Sequence, residues 1–281
     1  MKIAIQGIRG SYHHIVAENY FGKNHVLLEC MTFAEIPNLL LNSEVDAAVM
    51  AIENSIAGAI LPNYALIDEA DLSVIGEYYL QVHHNLMALK GQRIEDIKEV
   101  YSHPMALLQC RAFFRAYPHI HLIEDTDTAD VAKRIQDQKL KGVGAIASNL
   151  AADIYNLEII APEIQTIKEN QTRFVILEKR GKNLLEFPTK ASLKFVLQDH
   201  SGSLGEVLME LAKHQVNLSK IQSLPIIDKP WEYAFFADLI FEDYQEYKNA
   251  LKDITAKVSS CKILGEYKKN KRNDFKSKAI K

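Results

Sequence analysis

The chain has 281 residues, 48% of them hydrophobic and 25% charged, and a formal net charge of -3. That length exceeds one ordinary hydrophobic core and predicts two or more domains. The near-neutral charge provides no global pull toward nucleic acid or membrane, so a small anionic ligand must be held by local groups. Three cysteines, Cys30, Cys110 and Cys261, have neither CxxC nor Cys/His spacing, so neither a disulfide framework nor a zinc site is expected.

The opening "MKIAIQGIRG" carries one lysine and an apolar run too short for a signal peptide, and no run reaches membrane-spanning length. A cytoplasmic protein without membrane contact is expected. "KIAIQGIRGSYHHIVAENYF" reads as strand, turn and helix, and the text from Leu27 to Ser55 reads as strand, Thr-containing turn, amphipathic helix and small-residue strand. The same order recurs as "EVYSHPMALLQCRAFFRAY" and then from Leu122 to Leu150. Alternating strands and helices predict parallel sheets built from βαβ units, and two copies predict two lobes facing a cleft.

In open parallel sheets ligands sit beyond the carboxyl ends of strands, beside helix N-termini. That rule selects "GIRGSYH", "IENSIAG", "SHP" and "ASN". "NQTRFVIL", beginning at Asn170, is expected to lead a strand back across the lobe boundary with its polar residues toward the cleft. Asn54 or Ser55 reads either as a helix cap or as part of an anion site. Ser102 has the same two readings. Gln109 follows it by about two helical turns, so the two are able to share a face, and His103 reads as a satisfied, partly buried histidine. His13 and His14 have no carboxylates at ligand spacing, so no metal is expected there. "GIRGSY" lacks dinucleotide-loop spacing, and no nucleophile triad is evident.

After Lys179, "RGKNLLEFPTKA" reads as a linker. From Ala191 the order strand, helix, strand, strand, helix, strand gives βαββαβ, the ferredoxin-like arrangement, with "DKPWE" as a turn. The end "KKNKRNDFKSKAIK" reads as a basic, solvated tail rather than a nucleic-acid contact.

"AIENS", "SHPMALLQC", "NQTRF", "HSGSLGEVL" and "NLSKIQSLP" followed by "WEYAFFAD" occur in an order that resembles prephenate dehydratase with a C-terminal ACT regulatory domain. The resemblance runs from Ile3 to about Tyr267. It implies a two-lobed catalytic domain of parallel sheets, like type II periplasmic binding proteins, over residues 1–180, an ACT domain over 189–267 and a basic tail over 268–281. It further implies loss of carbon dioxide and water from prephenate to give phenylpyruvate for phenylalanine biosynthesis, without a cofactor or metal. Thr172 then donates to the departing hydroxyl, and Asn54, Ser55, Ser102, Gln109, Ser11, Glu53 and Arg173 line the cleft. Arg173 reads equally as a carboxylate ligand or as half of a structural ion pair.

The resemblance also implies L-phenylalanine as effector, bound between paired ACT domains near Gly202, Ser203 and Leu204, with Asn217, Leu218 and Ser223 contributing, and hence a homodimer or homotetramer. No chorismate mutase domain is expected ahead of the first strand at Lys2. Arogenate in place of prephenate, or a noncatalytic two-lobed module that binds amino acids or other small acids, are the alternatives. This chain departs from the family at "GIRGSYH", where Ser11 replaces threonine, Tyr12 phenylalanine and His13 serine. It departs further at Met105, Asn63 and Ala65, and at the usual ESRP, here Gln222, Ser223, Leu224 and Pro225.

Overall fold

In a computed structural model, residues 1–181, 187–226, 229 and 231–270 are described. Residues 182–186 of the linker, residues 228 and 230 of the "DKPWE" turn and the tail beyond Asn270 therefore lie outside the described residues. The described chain forms two compact units, one of Met1–Gly58 with Tyr78–Phe174, the other of Ala59–Glu77 with the residues from Val175 to Asn270.

The elements are β1 (Lys2–Gln6), α1 (Tyr12–Phe21), β2 (Val26–Cys30), α2 (Ile36–Leu41), β3 (Ala47–Asn54), the two-residue β4 (Gly58–Ala59), α3 (Leu61–Glu69), β5 (Leu72–Gln81) and β6 (Asn85–Ala88). There follow β7 (Glu99–Ser102), α4 (Pro104–Phe114), β8 (His121–Glu124), α5 (Thr128–Gln138), β9 (Val143–Ala147), α6 (Asn149–Ile154), β10 (Glu158–Ala161) and β11 (Gln171–Lys179). The remainder is β12 (Lys190–Leu197), α7 (Ser203–Lys213), β13 (Asn217–Pro225), β14 (Tyr233–Ile240), α8 (Tyr244–Thr255) and β15 (Val258–Tyr267).

The internal repeat is visible as geometry. β1 pairs in parallel with β2 and β3, and β7 pairs in parallel with β8 and β9. The sheets read β2-β1-β3-β11-β5 and β10-β6-β9-β7-β8. The second is mixed rather than purely parallel, since β6 runs antiparallel to β9 and to β10. Periodicity cannot reveal this: a fully buried strand such as "NLMA" reads alike in either direction.

β3 is apolar from Ala47 to Ile52 and buried throughout that run, as befits a strand with neighbours on both edges and helices over it. α5 shows the opposite pattern: Asp127 caps its first turn by accepting from Ala129 and Asp130 N–H, while Ala129, Val131, Ala132 and Ile135 face the core. Two segments join the lobes, residues 82–84 and 162–170, and they are laced together. Val82 N–H donates to Asn170 O at 2.7 Å, Ile164 N–H to His84 O at 2.7 Å, and His84 N–H to Gln165 Oε1 at 2.9 Å.

In the second unit the antiparallel sheet β13-β14-β12-β15 carries α7 and α8 over a core that includes Leu193, Phe195, Val207, Leu239, Phe241 and Tyr247. This is the βαββαβ order read from the sequence. The same unit holds a buried ion pair in which Lys190 Nζ donates to Glu77 Oε2 at 2.7 Å, both side chains being almost wholly inaccessible.

Candidate active site

β3 delivers Glu53 and Asn54 to its carboxyl end, and β11 begins beside them with Gln171 and Thr172. The following turn does not start a helix, so the helix-cap reading of Asn54 or Ser55 is not realised. Asn54 instead forms an Asx turn, its Oδ1 accepting from Ile56 N–H and Ala57 N–H at 2.9 Å each. Two backbone donors on the oxygen fix the direction of the amide. Its Nδ2 therefore points at Asn170 Oδ1 (2.7 Å), Thr172 Oγ1 (2.9 Å) and Gln171 O (3.2 Å). Ser55 ties the turn to β11: its N–H donates to Gln171 O at 2.8 Å and its Oγ accepts from Gln171 N–H at 2.9 Å.

Thr172 thus accepts from Asn54, and its own hydroxyl proton has no acceptor among the described residues. Asn170, fully buried, passes the direction onward, its Nδ2 donating to Gln109 Oε1 at 2.8 Å. Gln109 comes from α4 in the other lobe, so this contact crosses the cleft. Its Oε1 also meets His84 Nε2 at 2.9 Å. His84 Nδ1 lies 2.9 Å from the Tyr12 hydroxyl, which also reaches His83 O at 2.8 Å. Burial lowers His84 to about 4, against a weaker upward pull from its bond to Gln109. Burial likewise pushes the Tyr12 phenol well up.

The other expected site residues fall in several places. Arg173 is buried and pairs with Glu53, Nη1 to Oε1 at 3.5 Å. Ser11 caps α1, accepting from His14 N–H at 3.3 Å. Ser102 ends β7, fully buried, and donates to Ile146 O at 2.7 Å. It shares no helical face with Gln109, because α4 starts only at Pro104. His103 is the cap of α4, its ring accepting from Met105 N–H at 3.2 Å, and it is exposed rather than buried. The loop carrying Ser11 reaches the second lobe: Ser148 Oγ donates to Gly10 O at 2.6 Å, and a Cβ on Gly10 would lie 2.9 Å from Ala151 Cα.

Asn170 was expected only as one of the polar residues of "NQTRFVIL" facing the cleft, and His84 and Tyr12 were not singled out for the site by sequence reasoning. The signal for Asn170 was its place in "NQTRF". His84 sits in "HHN", a pattern indistinguishable from an ordinary buried histidine until its partners are known.

In the second unit Gly202, in the left-handed region at φ 91, precedes α7, and Ser203 and Leu204 begin it. Val196 and Leu224 both pair with Ala234, so Ser223 lies at the same end of the sheet as the loop into α7. Asn217 and Leu218 lie at the opposite end, where Asn217 pairs with Ile240 and Ile240 with Lys190. Glu210, His214 and Asp253 bring ligand-type atoms within 4.8 Å of one another. Lys213 and Lys257 pair with the same carboxylates, and His214 is held at both nitrogens, by Glu246 and Asp253 at 2.9 Å each.

Residues 3–182 match the family model for prephenate dehydratase and residues 191–245 that for the ACT domain. The bifunctional chorismate mutase/prephenate dehydratase of Escherichia coli K12 is 31% identical over 271 residues, covering 95% of this chain and 70% of the relative. The chain belongs to the prephenate dehydratase family. The corresponding bifunctional protein of Buchnera aphidicola from Schizaphis graminum is 33% identical over 237 residues, covering 83% of this chain, which spans 62% of that relative's length. An Arabidopsis thaliana arogenate dehydratase/prephenate dehydratase is 35% identical over 281 residues, covering 95% of this chain and 72% of that one.

Among solved structures, GqqA, described as a novel type of quorum quenching acylase, superposes with a TM-score of 0.87 at 28% identity over 96% of this chain and 98% of its own. The prephenate dehydratase of Arthrobacter aurescens in complex with L-Phe superposes at 0.85 with 24% identity, over 96% and 90%. The two-lobed fold with a C-terminal ferredoxin-like sheet, expected from the sequence, is thereby established for the family member described here. No helix among the described residues is long and apolar enough to cross a membrane.

Proposed function

We propose that this chain converts prephenate to phenylpyruvate, water and carbon dioxide, with residues 1–180 catalytic and 189–267 regulatory. The observation that carries the reading is the Thr172 hydroxyl, which accepts from an amide that two backbone donors hold in place and has its own proton left to give. In the reaction the electrons of the ring carbon–carboxylate bond move into the ring as carbon dioxide departs, and the para hydroxyl leaves with its bonding pair. One proton converts that hydroxide to water. Thr172 supplies the hydrogen bond or proton at the leaving oxygen and is reprotonated from solvent. A free threonine is a weak acid, so its contribution depends on position and on the donor behind it.

Gln109 offers amide N–H groups to a substrate carboxylate. Glu53 and Arg173 hold the mouth of β11 through their ion pair, Ser55 ties the turn after β3 to β11, and the buried Ser102 and Ser11 act only by fixing β7 and the start of α1. No step requires a cofactor. Arogenate is the second reading, favoured by the relative from Arabidopsis that carries both activities in its name.

The regulatory reading rests on the retained Gly202, Ser203, Leu204, Asn217, Leu218 and Ser223. In one copy these six divide between the two ends of the sheet, so a single site for L-phenylalanine needs a two-fold pairing that sets one end beside the opposite end of a second copy. A homodimer or homotetramer in the cytoplasm follows from that reading.

The test is turnover of prephenate and of arogenate by the purified chain, the former followed through phenylpyruvate absorbance in alkali. Thr172→Ala lowers kcat by about 10²–10⁴ with little change in KM, the range for loss of a positioned proton donor, whereas Thr172→Ser stays within about tenfold of wild type. Wild-type inactivity toward both substrates overturns the enzyme reading.

A further inference from the structure

The hydrogen bonds that cross the cleft have a direction, and it is set at one end. Asn54 Oδ1 is occupied by two backbone N–H groups, so Asn54 must donate to Asn170 Oδ1. Asn170 must then donate to Gln109 through Nδ2, which makes the Gln109 atom facing it the carbonyl oxygen. The same oxygen lies 2.9 Å from His84 Nε2, so that nitrogen carries a proton. In the neutral ring Nδ1 is then without a proton, and the Tyr12 hydroxyl lies between two acceptors, Nδ1 at 2.9 Å and His83 O at 2.8 Å.

With two donors on Oε1, the Gln109 amide cannot turn over without setting N–H against N–H twice. Its Nε2 has no acceptor among the described residues, and Gln109 is only half-buried. The group presented to a ligand from the second lobe is therefore a pair of N–H donors, the complement of a carboxylate.

We propose that His84 is a positioning residue: by donating from Nε2 to Gln109 Oε1, it holds the Gln109 amide with its N–H groups toward the cleft and so selects an anionic substrate group there. Asn170 alone leaves Gln109 with one donor and a less strictly determined orientation; His84 adds the second.

The inference rests on the dehydratase reading of the cleft, and its test separates the two. Prephenate kinetics are measured for wild type, His84→Phe and His84→Gln, together with nitrogen-15 spectra of histidine-labelled wild type, the His84 signal being the one absent from His84→Gln. His84→Phe raises KM for prephenate by about tenfold, with kcat within about threefold, as expected for loss of one hydrogen bond that orients a binding group. His84→Gln, which can still donate an amide N–H, restores KM. The wild-type ring is neutral at pH 7.5 with its proton on Nε2.

Equal kinetics in all three proteins overturns the inference. So does an equal fall of kcat in both variants, which marks a merely structural residue, and so does a proton found on Nδ1. If His84→Phe does not fold, the His84→Gln kinetics and the wild-type spectrum decide. A wild type inactive on prephenate and arogenate overturns the dehydratase reading instead, and the ring tautomer still decides how Gln109 is held.

Discussion

Lowering the pH from 7.5 to 5 destabilises this protein through two histidines that the fold keeps neutral. His13 is buried between Phe174, edge-on at a centroid distance of 4.9 Å, and Phe33 at 5.4 Å, and its Nε2 accepts from Ala51 N–H at 3.3 Å. Burial lowers it to about 3. His84 is lowered to about 4, first by burial and then by the neighbouring His83 and His103, with its bond to Gln109 opposing. Both folded values lie below the unfolded value of about 6.5. Their contribution is therefore fully present above 6.5 and is lost as the pH falls, because the unfolded chain takes up protons first. pH 5 lies about 1.5 units below the unfolded value and still above both folded values, which costs about 2 kcal/mol per histidine at 1.36 kcal/mol per unit. His214 acts with the opposite sign: Glu246 and then Asp253 raise it, so it gains stability as it protonates. Comparing a variant with wild type across the same pH window cancels that gain. The assay is urea unfolding of wild type and His84→Gln at pH 7.5 and 5.0, followed by far-ultraviolet circular dichroism. Wild type loses about 2 kcal/mol more than the variant across that window. Equal losses in the two proteins would refute the argument that burial holds His84 neutral.

Two further outcomes follow from the second unit. Lys190→Met removes the cation beside the buried Glu77 carboxylate, which keeps the Asn270 N–H at 3.2 Å, and costs about 3–5 kcal/mol, whereas Lys190→Met with Glu77→Leu recovers most of it, because an apolar pair avoids desolvating two charges. Chemical denaturation of both variants checks this, and a double variant no more stable than the single one refutes it. L-phenylalanine at saturating concentration lowers prephenate turnover if Gly202, Leu204 and Ser223 suffice for binding without the glutamate and arginine replaced here by Gln222 and Leu224. Undiminished turnover sinks the feedback reading.

Much of the fold was legible because its signals are local. The two strand–turn–helix copies, the small-residue run of β3 and the βαββαβ order all follow from periodicity over windows of about a dozen residues. The direction of β6 was not legible. Pairing direction is decided by where the chain crosses between lobes, and the crossing at residues 82–84 reverses it without altering the apolar pattern. The capping expectations failed for a related reason. Asn54 and Ser102 are good cap residues by type, yet the chain after Asn54 makes an Asx turn instead of a helix, and at the next site His103 takes the cap while Ser102 turns inward to the Ile146 carbonyl.

The site shows the same division between local and distant information. "NQTRF" announces a threonine and an arginine at a strand start, but what distinguishes Thr172 is a donor that is distant in sequence, and what distinguishes Gln109 is a histidine on a crossing segment. Amide direction is not encoded in either residue's identity: asparagine and glutamine present a donor and an acceptor of nearly equal shape. It becomes single-valued only where a backbone pair claims one end, as Ile56 and Ala57 do at Asn54. From there each assignment forces the next through Asn170 and Gln109 to His84, so a turn at the end of β3 determines which face of an amide the opposite lobe shows to a ligand. A substitution at Asn54 therefore disturbs both the donor behind Thr172 and the orientation of Gln109, whereas one at His84 disturbs the second alone. The two positions separate the leaving-group side of the reaction from carboxylate binding: loss at Asn54 lowers kcat as well as raising KM, and loss at His84 acts on KM.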